Sequence, residues 1–353
     1  MTSGKSRIVV RSLNIFLLKR GSRYILKLIL ILLLLTFTIL VISLSVGRYP
    51  VSPADIVKAI LGLKTQDPQS PFVIVTLRLP RVLIAWLVGA SLAIAGAIMQ
   101  GLTQNPLADP SITGVSMGAG LGAVIVIVLF PQAPPYTLHL ATLSGGIGIA
   151  VLLYLLTGIG ERSALRFVLV GILLGLFAQA ITTLLLTFGR VYNVNQALVW
   201  MAGSISGKSW NDFWPLLPWT TVFGLLAIRQ ARELNTLQMG FFIATSLGSR
   251  VKLQHTILLL LSVALTAASV ATVGMISFVG LIAPHIARQL VGSMHEKLLP
   301  VAALIGGLIL IGADFLARTI FSPTEFPCGL LISALGGPYF FYLMYRNRTK
   351  MSV

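Results

Sequence analysis

Apolar residues along this 353-residue chain come in long blocks, interrupted by short clusters of glycine, proline and charge. Each block is roughly 20 residues long, which is what an α-helix needs to cross a hydrocarbon core of about 30 Å. The breaks predict ten spans, at 27–46, 81–101, 111–130, 138–158, 165–188, 213–229, 253–273, 274–290, 298–320 and 326–345. The division at 273/274 is the faintest, because the chain hardly pauses there. Between the first two spans, "SPADIVKAILGL" (Ser52 to Leu63) has the amphipathic pattern of a short surface helix.

Composition turns this pattern into a fold class. With 56% hydrophobic residues, 10% charged residues and a mean hydropathy of +0.93, the chain reads as an all-α integral membrane protein. Helices rather than a barrel follow from runs of this length. The N-terminal basic stretch followed by an apolar run resembles a signal peptide. The run is too long for a typical h-region and no A-x-A site follows it, so a retained first span is expected.

The formal charge of +17 arises from 26 basic and 9 acidic residues. In a membrane chain such an excess orients the spans, and nucleic acid is not implied as a partner. Ten spans place both termini on one side. If that side is the cytoplasm, eighteen basic residues lie inside and eight outside, as the positive-inside rule favours. This predicts a basic cytoplasmic N-terminus (1–26), a single ten-helix transmembrane bundle (27–345) and a cytoplasmic tail (346–353). Arg162, Arg166, Arg346, Arg348 and Lys350 are among the inner charges.

Candidate chemistry is sparse. The lone Cys328 excludes an internal disulfide, and the four histidines lack metal-ligand spacing. No triad or paired-carboxylate arrangement can be assembled, so no catalytic residue is expected. "MAGSISGKSW" (Met201 to Trp210) looks like a phosphate loop, but G-x-x-x-x-G-K-[ST] would need glycine where Ala202 stands. Asp314 alone lies well inside a span, and Arg318 at i+4 predicts a pair on one helix face. That scarcity of intramembrane acids argues against an ion-coupled carrier without excluding one. Gly114, Gly118 and Gly122, spaced four apart, predict close helix packing within the bundle, with a dimer contact as the alternative.

Three segments together resemble the FecCD-type permease family, the membrane subunits of type II ABC importers for iron chelates, haem and cobalamin. They are "RLPRVLIAWLVGASLAIAGAIMQGLTQNPLADPSITGVSMGAGLG" from Arg78, "GMISFVGLIAPHIARQLVG" from Gly274 and "GADFLARTIFSPTEFPCGLLISALGGPYFFYLM" from Gly312. The resemblance covers 27–345 and implies ten transmembrane helices, with both termini cytoplasmic. It implies a second permease subunit, identical or paralogous, two cytosolic ATPase subunits and an extracytoplasmic substrate-binding protein. ATP and Mg would be bound by the ATPase partner, leaving no cofactor in this chain. The expected cargo is an iron(III)-siderophore complex crossing the inner membrane of a bacterium, with cobalamin or haem as alternatives.

The resemblance also assigns residues. Arg78, Arg81 and Arg318 match arginines that receive acidic residues of the binding protein; on sequence alone they serve equally as headgroup anchors. "RELNTLQMGFFIATSLGSRVK" (Arg232 to Lys252) reads by itself as an interfacial amphipathic helix. By resemblance it is the coupling segment, two short helices seated in the ATPase, with Ala244, Leu247 and Gly248 as its A-x-x-L-G core. Phe241 stands where relatives often carry an acid. Trp200 and Met201, in a W-x-x-G-S stretch, are either ordinary packing residues or pore-lining ones.

Overall fold

The computed structural model describes residues 3–157, 164–322 and 324–347. Arg162, Arg348, Lys350 and most of the 346–353 tail lie outside the described residues. The described chain is helical and contains no strand. In order it forms α1 (Ser3–Ser45), α2 (Pro53–Ile60), a π-helical turn (Phe72–Arg78), α3 (Leu79–Leu102), a 3-10 turn (Pro110–Thr113), α4 (Val115–Leu129), α5 (Pro135–Thr157) and α6 (Ala164–Phe188). Then come α7 (Val191–Met201), α8 (Trp210–Arg229), α9 (Ala231–Gln238), α10 (Phe241–Ser246), α11 (Val251–Val273), α12 (Val279–Val291), α13 (His295–Ile320) and α14 (Cys328–Asn347).

Six of these helices are long and apolar enough to cross a bilayer: those over Arg23–Ser45, Phe72–Leu102, Pro135–Thr157, Arg166–Phe188, Val251–Val273 and His295–Ile320. Shorter apolar helices cover Val115–Leu129 and Cys328–Phe341. Every expected span coincides with a helix, but several helices begin earlier or later than the pattern predicts, and two of these shifts matter for the site. The second starts early, because the π-helical turn runs directly into α3. Pro80 has no N–H and crowds the preceding turn, and the wider π-turn accommodates both. Arg78 and Arg81 therefore lie within one continuous helical rod.

The eighth span starts late. α11 ends at Val273, as the faint division predicts, but Gly274 to Ser277 is irregular and α12 opens only after Phe278. At 13 residues α12 is about 20 Å long. Its Gly280 meets Leu92 and Gly96, halfway along α3, so the irregular segment descends into the bundle. Non-helical backbone at that depth is tolerated only within protein or along a cavity. Here Gly203, Trp200 and Gly336 surround it.

α3 is the axis of the bundle, packed along α13 and against α11, α12 and α8. Small residues allow backbone-to-backbone contact. A Cβ on Gly89 would fall 2.2 Å from the Gly306 carbonyl, and one on Gly96 only 1.8 Å from that of Gly280. A second layer joins α4 to α5 and α6. Gly118 and Gly122 are pressed on Gly145 and Ala141 of α5. Gly114 does not share their helical face, contrary to the expectation from its four-residue spacing. The 3-10 turn delays α4 to Val115, which leaves Gly114 as its N-cap at φ +75°, facing Gly171 and Gly175 of α6. All three glycines pack inside the chain.

Candidate functional site

The two ends of the bundle carry different polar machinery. At one end the C-terminus of α1 presents carbonyls that no helical N–H can reach. Arg78, almost fully buried, donates to the carbonyls of Leu44 (2.5 Å), Ser45 (3.4 Å) and Tyr49 (2.6 Å). Arg318 donates to the carbonyl and the hydroxyl (2.7 Å) of Ser43 and lies 5.5 Å over the Phe315 ring. Two cations from distant segments thus cap one helix end, where the macrodipole favours positive charge.

Arg318 does not pair with Asp314, contrary to the i+4 expectation. Arg81 takes that carboxylate from α3, its Nε 3.2 and 3.0 Å and its Nη2 2.9 Å from the two oxygens. The planar guanidinium edge matches a carboxylate bidentately, while the α1 carbonyls draw Arg318 away. The remaining Nη1 of Arg81 reaches Glu325 at 3.1 Å. Ser206 donates its hydroxyl to the same carboxylate. Burial would raise the Glu325 carboxyl, but the Ser206 bond and the Arg81 charge outweigh it and hold it below its ordinary value. The three predicted arginines therefore cluster, each already engaged within the chain. Glu325 was not singled out from the sequence; its signal was rarity, one of nine acids among 26 bases.

The loop that mimics a phosphate site also lies at this end. Gly203 accepts from the Gly329 amide (3.0 Å), and the Ser204 amide donates to Val273 (2.8 Å). Ser209 is the N-cap of α8, with its amide bonded to Asp212 (2.9 Å), and Lys208 pairs with Asp212 at 3.6 Å. The serine and lysine of "GKS" thus serve a helix terminus. Trp200 and Met201 close α7 half-buried. Met201 packs beside Val124, Val128 and Ala197, and the Trp200 carbonyl abuts Gly274. Cys328 is a buried free thiol against Gly203.

At the opposite end the 232–252 segment folds as two short helices, α9 and α10. The A-x-x-L-G core is a helix-ending motif. The Ser249 amide donates to Ala244 (3.1 Å) and the Gly248 amide to Thr245 (2.9 Å), the paired bonds of a Schellman cap. Ala244 is buried, Gly248 sits at φ +85°, and the turn between them directs Leu247 outward, 64% exposed. Phe242 and Ile243 are exposed beside it, and Phe241 stands edge-on to Phe242.

This end is fastened to the core through polar contacts. Asn235 Oδ1 accepts from the His295 amide (2.9 Å) and lies 2.7 Å from its Nδ1, while Asn235 Nδ2 donates to Glu296 (2.6 Å). Arg288 donates to Gln100 (2.9 Å), and Gln104 to the Leu237 carbonyl (3.4 Å). α9 thereby contacts the start of α13 and the end of α3. Among the described residues no group of histidine, cysteine or acidic side chains has the arrangement of a metal site.

Comparison with known proteins agrees with this architecture. The chain is 39% identical over 312 residues to the iron(3+)-hydroxamate import system permease of Bacillus subtilis, covering 86% of this chain and 92% of that one. It is 41% identical over 284 residues to the hemin transport system permease of Yersinia pestis, covering 78% and 84%. A solved chain of a metal-chelate type ABC transporter in an inward-facing conformation superposes with a TM-score of 0.82 at 32% identity, covering 91% and 99%. The profile of the FecCD transport family matches residues 32–346. The chain belongs to the FecCD transport family and is a multi-pass membrane permease.

Proposed function

We propose that this chain is the permease subunit of an ABC importer that carries an iron(III)-siderophore complex inward across the bacterial cytoplasmic membrane. The observation that carries the reading is the α9–α10 pair, which presents Phe242, Ile243 and Leu247 to solvent from a rigid, capped turn tied to the core helices. Exposed apolar side chains on a fixed frame suit a protein groove, here that of a cytosolic ATPase. ATP and Mg belong to that partner, and the chain itself makes or breaks no bond.

The same reading gives ten spans with both termini cytoplasmic. α8 and α12 complete the count, and the α9–α10 end faces the cytoplasm. The arginine end then faces outward, toward a substrate-binding protein. Arg81, with one arm on an exposed carboxylate, is better placed to meet that partner than Arg78, which is occupied with α1. A second permease subunit would complete the pore, with Trp200 and Met201 near its outer part.

The cargo rests on the relatives named for iron(3+)-hydroxamate and Fe(3+)-citrate import. Haem is the second reading, favoured by the 41% identity to the hemin permease. An ion-coupled carrier is less apt, because Asp314 is consumed by Arg81. The test is uptake of radiolabelled ferric hydroxamate into proteoliposomes holding the assembled transporter. Uptake is expected only with ATP inside and binding protein outside. Uptake without ATP that collapses with an ionophore would refute the proposal.

A further inference from the structure

The outer arginine cluster contains a feature that docking alone does not need, a carboxylate of this chain already seated on the docking arginine. We propose that Glu325 is a resident stand-in for the acidic side chain of the arriving partner. Exchange of one carboxylate for the other on Arg81 then frees the 203–209 loop from the 321–327 loop. The inference rests on the docking reading of Arg81 given above.

Three observations carry it. First, the two faces of Arg81 differ. Its Nε and Nη2 are committed to Asp314, whose side chain is 3% exposed, whereas Nη1 goes to Glu325, whose side chain is 47% exposed. Only the second contact can be reached from solution. Second, a carboxylate replacing a carboxylate on one guanidinium nitrogen trades like for like, so the exchange has little intrinsic cost. Arg48, exposed on the same side, also acts on Glu325 and would draw the incoming acid. Counting the buried Arg78 and Arg318, four cations and two carboxylates gather here, which leaves the cluster net positive toward an acidic partner. Third, Glu325 is bonded to Ser206 as well as to Arg81.

Ser206 lies midway in the loop between α7 and α8, and Glu325 midway in the loop between α13 and α14. Their bond joins the two loops beyond the backbone anchor from Gly329 to Gly203. If Arg81 turns its free arm to a partner, Glu325 loses the cation that neutralises it. It then moves outward into water, and Ser206 loses its acceptor. Docking and loosening of the two loops become one event, with no new residue required.

The experiment uses the complete transporter in lipid nanodiscs and the ferric-hydroxamate-loaded binding protein. Glu325→Gln removes the competitor and is expected to tighten binding by up to about five-fold, the upper end of what an exposed ion pair contributes. Arg81→Glu is the control for docking. If Arg81→Glu weakens binding while Glu325→Gln leaves it unchanged or weaker, the stand-in role is wrong and the docking role survives. If Arg81→Glu has no effect, the docking reading itself falls, and this proposal with it.

Ser206→Cys with Glu325→Cys tests the loop contact directly, since Cys328 is buried and does not compete. Because the glutamate's extra length separates the two Cβ atoms too far for a direct disulfide, the pair is expected to be bridged by a short bis-methanethiosulfonate reagent without binding protein, to block uptake when bridged and to recover on reduction. A pair that does not cross-link, or that transports at the full rate while cross-linked, overturns the loop release.

Discussion

Replacing Asp314 with alanine is expected to be the most damaging single change at the arginine end. Arg81 makes four hydrogen bonds, of which three go to Asp314 and one to Glu325. Both members of the inner pair are largely buried, with 13% and 3% of their side chains exposed. Removing one partner of a buried pair costs about 3–5 kcal/mol, because the other charge is left desolvated. The surviving Glu325 contact places this case near the lower end, at about 3 kcal/mol. The reading further requires that removing both partners be mild. Arg81→Met with Asp314→Leu is expected within about 1 kcal/mol of the parent, as apolar replacements of buried pairs are. The assay is reversible unfolding in mixed micelles by denaturing detergent, followed through tryptophan fluorescence. A loss below about 1 kcal/mol for Asp314→Ala would mean that the pair behaves as a surface contact. A double variant as unstable as the two single changes added together would show that the pair is not a coupled unit.

Three further outcomes follow from the geometry. Gly248→Val is expected to uncouple ATP hydrolysis from uptake, while Gly248→Asn retains coupling. No atom lies within 4 Å of the added Cβ, so the cost is the left-handed backbone, about 1–2 kcal/mol for a branched residue. Equal coupling in both variants would refute the role of the cap. Gly96→Val should prevent stable insertion or lower the unfolding midpoint sharply, since the neighbouring Gly280 backbone cannot yield. Gly148→Ala, which meets nothing within 4 Å, should not, and matching midpoints for the two would contradict the packing. The Glu325 carboxyl is held below its ordinary 4.5, so its contribution is fully present above that value and disappears as pH falls through the lowered one. Parent and Glu325→Gln should differ in unfolding midpoint at pH 6 and converge in strong acid; a difference that grew with acidity would reverse the sign.

The spans were readable because lipid imposes a local rule. A helix of about 20 apolar residues satisfies its own backbone, so blocks such as 27–46 and 253–273 announce themselves without reference to any neighbour. The α9–α10 segment reads by itself as one interfacial amphipathic helix; its division into two short helices came from the family resemblance, and the structure separates them at Gly240. "GMISF" was not readable as a break. It is apolar apart from Ser277, and its irregular backbone is enclosed by Trp200 and Gly203 at the end of α7 and by Gly336 of α14.

The charged residues divide in the same way. Their excess and distribution along the chain predicted a membrane orientation, and motif similarity picked out Arg78, Arg81 and Arg318. Which partner each one holds lay beyond the sequence. The i+4 spacing of Asp314 and Arg318 favours their pairing on an isolated helix by only about 0.2–0.5 kcal/mol. A bidentate contact from Arg81, 233 residues away, and the open carbonyls of α1 both outweigh that preference once the helices assemble. Helical spans are decided by interactions within a few turns and are written in the chain. The hold on Asp314, the capping of α1 and the seat of Glu325 are decided by long-range packing, which brings together groups whose separation in sequence carries no trace of their contact.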